Sequence, residues 1–303
     1  MCVTMASGEF LAGVLVNGFI GMVNFIDCIK TRRISYLNLI FIGLAVSRIG
    51  LLGILTSQIF FLSFHPLCFE INWRYFNMLW ILANTSSSWF SAFLSIFYFL
   101  KIANFTHPIF LWLKWRVNRG VFRMLFGCYF LSFFIFLLLS LLSDALEVTF
   151  DLENNRNLSQ EIQKSKTSFF SSMILFSIGG LIPFAMSLIS CFLLVLSLWR
   201  HTCKMQLSIT GSKDPSMEAH IKAMKSMVSF FFLFVLYYVC MFLLVTNNPV
   251  TKRTQSVLLI LITMIKYPLV HSIILILGHN KLKPTALRVL WKLRICFKCS
   301  GKG

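Results

Sequence analysis

Residues 97–105 read FYFLKIANF. Four strongly apolar residues, Phe97 to Leu100, run straight into Lys101, and the chain turns polar only after that. A lysine at the foot of an apolar run fits the end of a membrane-spanning helix, where the ammonium reaches the headgroups and the methylene stem stays along apolar surface. Upstream of Lys101 the apolar character continues to about residue 76. That is more than the roughly 20 residues a helix needs to cross a bilayer. This stretch therefore predicts one transmembrane helix, 76–101, and the rest of the chain repeats its pattern.

The whole composition agrees. Of 303 residues, 57% are hydrophobic and only 13% charged, with a mean hydropathy of +0.79. A soluble domain would carry about 25% charged residues. A chain of this kind cannot cover itself with polar surface, so lipid is the expected solvent. Seven apolar stretches qualify as spans, at about 9–29, 37–62, 76–101, 122–143, 168–198, 224–245 and 255–278. A basic tail, 279–303, follows. The predicted fold is an all-α integral membrane protein, a bundle of seven transmembrane helices forming a single domain. The fifth span contains Pro183 and the seventh Pro268. Pro183 predicts a kink, which a membrane helix tolerates when neighbours re-satisfy the freed backbone groups.

The net charge of +18 does not point to nucleic acid, because the basic residues fall in short stretches between apolar runs. Such residues set orientation by their excess on the cytoplasmic side. Twenty lie in the first, third and fifth connections and the tail, against six in the alternate connections. The N-terminus is therefore expected outside and the tail inside. No basic segment precedes the first apolar run, so the first span is expected to act as its own insertion signal. The sequon Asn157-Leu158-Ser159 falls in the polar connection 144–167 that this topology puts outside, so Asn157 is the expected glycosylation site. The sequons at Asn84 and Asn104 are expected to be silent.

None of the nine cysteines has metal-ligand spacing with histidines, and no cofactor or metal is expected. Cys296 and Cys299 form a C-x-x-C in the basic tail, read either as palmitoylation sites or as two reduced thiols. His271 and Ser272 are adjacent, yet no acid partner is evident for a nucleophilic pair. Nothing resembles a phosphate-binding or catalytic motif, so no enzyme is expected.

Two features inside the spans carry chemistry. The third span reads LWILANTSSSWFSAFLS, and Trp80, Asn84, Ser87 or Ser88, Ser91 and Ser95 recur at three and four residues. They share one helix face. A polar stripe in a membrane helix faces the bundle, either lining a cavity or joining helices through small and polar side chains. Asn84 lies roughly 12 Å below the start of the span, a depth suited to a cavity. The second feature is Arg48 in the second span. An unsatisfied arginine at mid-span costs at least about 2.5 kcal/mol on insertion scales, so a partner is expected, and Asn17 in the first span is the candidate.

Seven helices with an outer N-terminus point to a G-protein-coupled receptor, yet the motifs of the large rhodopsin-like class are missing. FYFLKIANF stands where D-R-Y would be, the sixth span has no proline, and the seventh ends YPLVHSIILILGHNKLK rather than N-P-x-x-Y. The connection 144–167 has no cysteine for the usual bridge to the third span. The chain resembles instead the type 2 taste receptors, the bitter receptors. The matching stretches are VNGFIGMVN (16–24), LAVSR (44–48), SIFYFLKIANF (95–105), HPIFLWLKWR (107–116), LIPFAMSLISCFLLVLSLWRHTCKMQ (181–206), TGSKDPSMEAHIKAMKSMVSFF (210–231) and HSIILILGHNKLK (271–283). His279 departs from the family, which more often has Asn there.

The resemblance implies a plasma-membrane receptor. Bitter small molecules enter a pocket open to the outside, and a gustducin-type heterotrimeric G protein is activated inside. Trp80 and Asn84 match the family's W-x-x-x-N pocket pattern; Thr85 and Ser88 are further lining candidates, and Tyr237 aligns with a tyrosine at the pocket floor. Leu261 aligns with a position that is acidic in some members, which implies neutral lipophilic agonists here. Asn17, Arg48, Pro183, His271 and Ser272 are assigned to a structural and activation network. Tyr98, Lys101, Lys114, Arg116, His201 and Lys204 are assigned to the G-protein face. Receptor oligomers are a further expectation. The competing readings are a polytopic transporter or channel, which would favour internal repeats and intramembrane carboxylates, and a vomeronasal-type pheromone receptor. The HSIILILGHNKLK and LKIANF stretches favour taste.

Overall fold

The structure, a computed structural model, describes residues 2–32, 35–102, 180–197, 231–240 and 254–300, with isolated helical positions at 199, 228–229 and 242–243 and between 108 and 141. The described residues are all-helical apart from short turns. They form α1 (Cys2–Thr31), α2 (Tyr36–Phe64), α3 (Pro66–Ile102), α4 (Gly180–Ser197), α5 (Phe231–Cys240), α6 (Thr254–Gly278) and α7 (Leu282–Ser300). Thus α4, α5 and α6 belong to the fifth, sixth and seventh predicted spans. Of the fourth span only isolated helical positions are described.

Among the described residues four helices are long and apolar enough to cross a membrane: Cys2–Thr31, Tyr36–Phe64, Gly180–Ser197 and Gln255–Gly278. With 37 residues, α3 exceeds the roughly 20 that a bilayer requires, but its serine-rich middle lowers its hydropathy. It also starts at Pro66, ten residues before the predicted span, because only His65 separates it from α2. The His65 N–H bonds the Phe61 carbonyl at 2.8 Å. Proline at the first helical position then loses no hydrogen bond, since that N–H would have no partner in the helix.

Helix α2 packs against α1, α3 and α6, and α1 also packs against α6. Two apolar clusters form the core. One contains Leu51, Leu55, Trp80, Phe234, Tyr237, Leu258, Leu261 and Tyr267. The other contains Ile20, Phe41, Leu44, Trp89, Phe93, Leu194, Leu275 and Leu282. On α1, α2 and α6 the buried polar residues Asn17, Arg48, His271 and Ser272 fall in sequence between the members of the two clusters. The bundle therefore carries a polar layer between two apolar ones. Leu15, Met22, Phe192 and Phe232 point outward and are exposed, as lipid-facing side chains are.

The residues read as a tail fold as α7, joined to α6 by the turn His279–Lys281. Leu282 is fully buried at its start. Lys281 Nζ lies 2.5 Å from Asp27 Oδ2 at the end of α1, and Asn38 Nδ2 donates to the same oxygen at 2.8 Å. The root of α7 is thus tied to α1 and α2.

Candidate functional site

The α3 stripe is the spine of the site, and its two halves differ. At its C-terminal half the hydroxyls are bonded. Ser95 Oγ donates to the Ser91 carbonyl at 3.2 Å, and Ser187 Oγ of α4 donates to Ser95 Oγ at 3.0 Å. Ser91 Oγ accepts from Arg48 Nη2 at 3.4 Å. At the N-terminal half, Asn84 is 2% exposed, yet its Nδ2 has no hydrogen-bond partner. A buried amide donor left unpaired costs about 1–3 kcal/mol, so a protein keeps one only for a reason. One turn earlier Trp80 is buried in the cluster that holds Tyr237 of α5 and Leu261 of α6, and its side chain faces the Tyr237 hydroxyl. The structure therefore brings Trp80, Asn84, Tyr237 and Leu261 into one region between three helices. Ser88 is buried and Thr85 half-buried, so Thr85 is the less enclosed of the two.

Below this region an aromatic column leads into the polar layer. The Tyr237 and Tyr267 rings are 4.9 Å apart, and Tyr267 stacks on His271 at 6.3 Å. Tyr267 is not among the residues that the sequence assigns to the site. The signal was there: Tyr267 precedes His271 by one helical turn, and side chains at that spacing meet.

Arg48 is wholly buried. Its Nη1 donates to Ser272 Oγ at 2.7 Å, and its Nη2 makes a short contact with His271 Nδ1. Asn17 is not its direct partner. Ser272 Oγ lies 2.7 Å from Asn17 Oδ1 and 2.8 Å from the Pro268 carbonyl, so Asn17 reaches the arginine through the serine hydroxyl. Asn17 Nδ2 is occupied by the Gly13 carbonyl at 2.8 Å. Pro183 is buried in the first turn of the described part of α4, which begins at Gly180; the residues before Gly180 lie outside the described ones.

At the foot of α3, Tyr98 packs half-buried against the second apolar cluster, and Lys101 is exposed. Beside Lys101 sits His279, in the turn between α6 and α7. Its ring meets Phe41 edge-on at 5.1 Å, and its Nδ1 accepts the Lys281 backbone N–H at 3.3 Å. Burial, and then the neighbouring charges of Lys101 and Lys281, push the imidazole down to about 4. It is neutral at physiological pH. Lys114, Arg116, His201, Lys204 and Asn157 lie outside the described residues, and so does the Cys299 side chain; Cys296 is exposed on α7.

A family model described as "Taste receptor protein (TAS2R)" matches residues 1–294. Taste receptor type 2 member 7 of Papio hamadryas is 42% identical over 302 residues, covering 97% of this chain and 94% of that protein. The Pongo pygmaeus member 7 is 42% identical over 299 residues, covering 97% and 93%. Taste receptor type 2 member 8 of Homo sapiens is 39% identical over 291 residues, covering 95% and 94%. These relatives are receptors, not enzymes. With a family match over nearly its whole length and relatives far above 30% identity, the chain belongs to the type 2 taste receptor family.

Proposed function

We propose that this chain is a G-protein-coupled bitter receptor of the plasma membrane, with an outer N-terminus and a cytoplasmic α7. A small, neutral, lipophilic agonist enters between α3, α5 and α6. Trp80 and Tyr237 supply flat apolar walls, Leu261 closes the α6 side without a charge, and Asn84 supplies the polar anchor. Occupation of that region is transmitted to the foot of α3, where Tyr98 and Lys101 meet a gustducin-type heterotrimeric G protein together with Lys114, Arg116, His201 and Lys204. The observation that carries this reading is the Asn84 amide. It is buried with an unpaired donor, one turn from an aromatic wall, while the serines Ser91 and Ser95 further along the same stripe are bonded to protein. A donor kept unpaired beside apolar rings is what a ligand carbonyl or ether would complete.

The test is intracellular calcium in cells expressing the chain with a gustducin-type chimeric Gα, challenged with a broad panel of bitter compounds. The expected result is a concentration-dependent response that Trp80→Ala abolishes and Asn84→Ala weakens at least about tenfold, the scale of a lost buried hydrogen bond, with surface expression unchanged. Silence from protein confirmed at the surface, with solute flux instead, overturns the reading in favour of a transporter.

A further inference from the structure

Arg48 poses a charge problem that its described partners do not solve. A guanidinium keeps its proton in any protein environment, so a full positive charge sits midway along α2, wholly buried. Its hydrogen-bond partners, Ser272, Ser91 and His271, and the Tyr267 phenol that faces it, are hydroxyls and an imidazole that carry no negative charge. Among the described residues no carboxylate pairs with it. The sequence offers none at that depth: of ten acidic residues, only Glu9 and Asp27 fall within the predicted spans. Asp27 is taken by Lys281 and Asn38. Glu9 lies eight residues before Asn17 on α1, about 12 Å away along the axis, and interacts with Lys266. Buried charges in proteins are normally paired.

Two donors at neighbouring levels of the α2–α3 seam are also unused. Arg48 Nε is buried without an acceptor, and so is Ser87 Oγ, which is 1% exposed. Ser87 precedes Ser91 by one turn of α3, on the face where Ser91 touches Arg48. The residues one turn either side of Arg48 on α2, Leu44, Ala45, Leu51 and Leu52, are all buried and apolar. An occupant must therefore be small, carry one negative charge and shed its water. Polyvalent anions hold their hydration too strongly for such a place.

We propose that the α2–α3 seam at Arg48 and Ser87 is a binding site for a small monovalent inorganic anion, chloride under physiological conditions. The Arg48 Nε–H and the Ser87 hydroxyl donate to the ion, which neutralises the buried guanidinium. The ion ties α2 to α3 at the level of the polar layer and stabilises the folded receptor by mass action. This site lies about one helical turn along the α3 stripe from Asn84, at the level of Arg48, and its existence does not depend on what the agonist is.

The experiment uses the full-length chain purified in detergent or nanodiscs. Melting temperature is measured against chloride, bromide, gluconate and sulfate at constant ionic strength, and the 35Cl NMR linewidth is followed with and without protein. The expected result is a saturable rise with chloride and bromide only, and a protein-dependent 35Cl broadening that bromide relieves. Ser87→Ala keeps the charge but removes one donor, so it raises the half-saturating chloride concentration about tenfold. Ser87→Cys, a nearly isosteric weak donor, gives an intermediate shift and serves if the alanine variant does not fold. Equal melting in chloride and gluconate without broadening overturns the proposal. So does an unchanged half-saturation in both Ser87 variants, which would put the ion elsewhere.

Discussion

Arg48 shows how a single residue can be legible in chemistry and misjudged in partnership. That an arginine in an apolar run must be satisfied follows from its charge alone. Which side chains satisfy it depends on helix rotation, and sequence spacing does not give rotation between helices. The true neighbours, Ser272, Ser91 and His271, come from two helices far apart in the chain. Arg48→Leu removes the bonds that the guanidinium makes to Ser272, Ser91 and His271, each worth about 1.5–3 kcal/mol for a charged donor. It is expected to cut surface expression several-fold and to lower the melting temperature; unchanged expression and dose–response curves would count against the network. His279 carries a second prediction at this scale. Its folded value of about 4 lies below the usual 6.5, so the unfolded chain binds the proton first as pH falls. Its contribution is complete above about pH 6.5 and is lost towards pH 4, on the order of 2 kcal/mol by pH 4.5. Melting of the purified protein should therefore fall less steeply with acid in His279→Asn than in the parent. Parallel curves would show that the histidine does not couple to folding.

At the scale of elements, the long apolar helices were the easy part. A run of 20 apolar residues has one reading, and α1, α2 and α6 cover the stretches 9–29, 37–62 and 255–278 with extensions at their ends. The extensions are short or mixed in composition, so hydropathy alone did not mark their ends; α3 begins at Pro66 because its link to α2 is a single residue. Helix α7 was missed for the opposite reason. Its five basic residues, among them Lys283 and Arg288, were counted as charge, while Leu287, Leu290 and Trp291, exposed on the helix, repeat at three and four residues as on an amphipathic helix. The α3 stripe was visible as a face, but not which of its members bond to protein and which do not. That division depends on where Ser187 and Arg48 arrive. It gives a prediction for the α3–α4 seam. The Ser95–Ser187 hydrogen bond of 3.0 Å is worth about 0.6 kcal/mol, the average for polar pairs inside membranes. Ser95→Ala and Ser187→Ala should each lower stability slightly, and the double variant should lose less than the sum, as for residues in direct contact. Strict additivity in chemical denaturation would mean that the bond contributes nothing.

For the molecule as a whole, the argument turns on charge asymmetry. Twenty basic residues on one set of connections against six on the other is a bias that insertion reads before any tertiary contact forms. The two unusual charges, Arg48 and Lys266, lie within spans and do not enter that count. The same bias puts Lys101, His279 and Lys281 on one end of the bundle, and the structure gathers these three around the α6–α7 turn, so the charge count and the packing agree on which ends belong together. They do not by themselves say which end faces the cytoplasm; the positive-inside rule does. On that rule the 144–167 connection is expected outside, with Asn157 as the expected glycosylation site, and Asn104, two residues beyond α3, is expected on the other side. The expected outcome in expressing cells is a single glycan. Endoglycosidase treatment should sharpen and lower the apparent mass, Asn157→Gln should reproduce the treated band, and Asn104→Gln should change nothing. A tag after residue 303 should be reached by antibody only in permeabilised cells. If instead Asn104 carries the glycan and the tag is labelled on intact cells, the bundle is inverted, and the foot of α3 at FYFLKIANF could not meet a G protein at all.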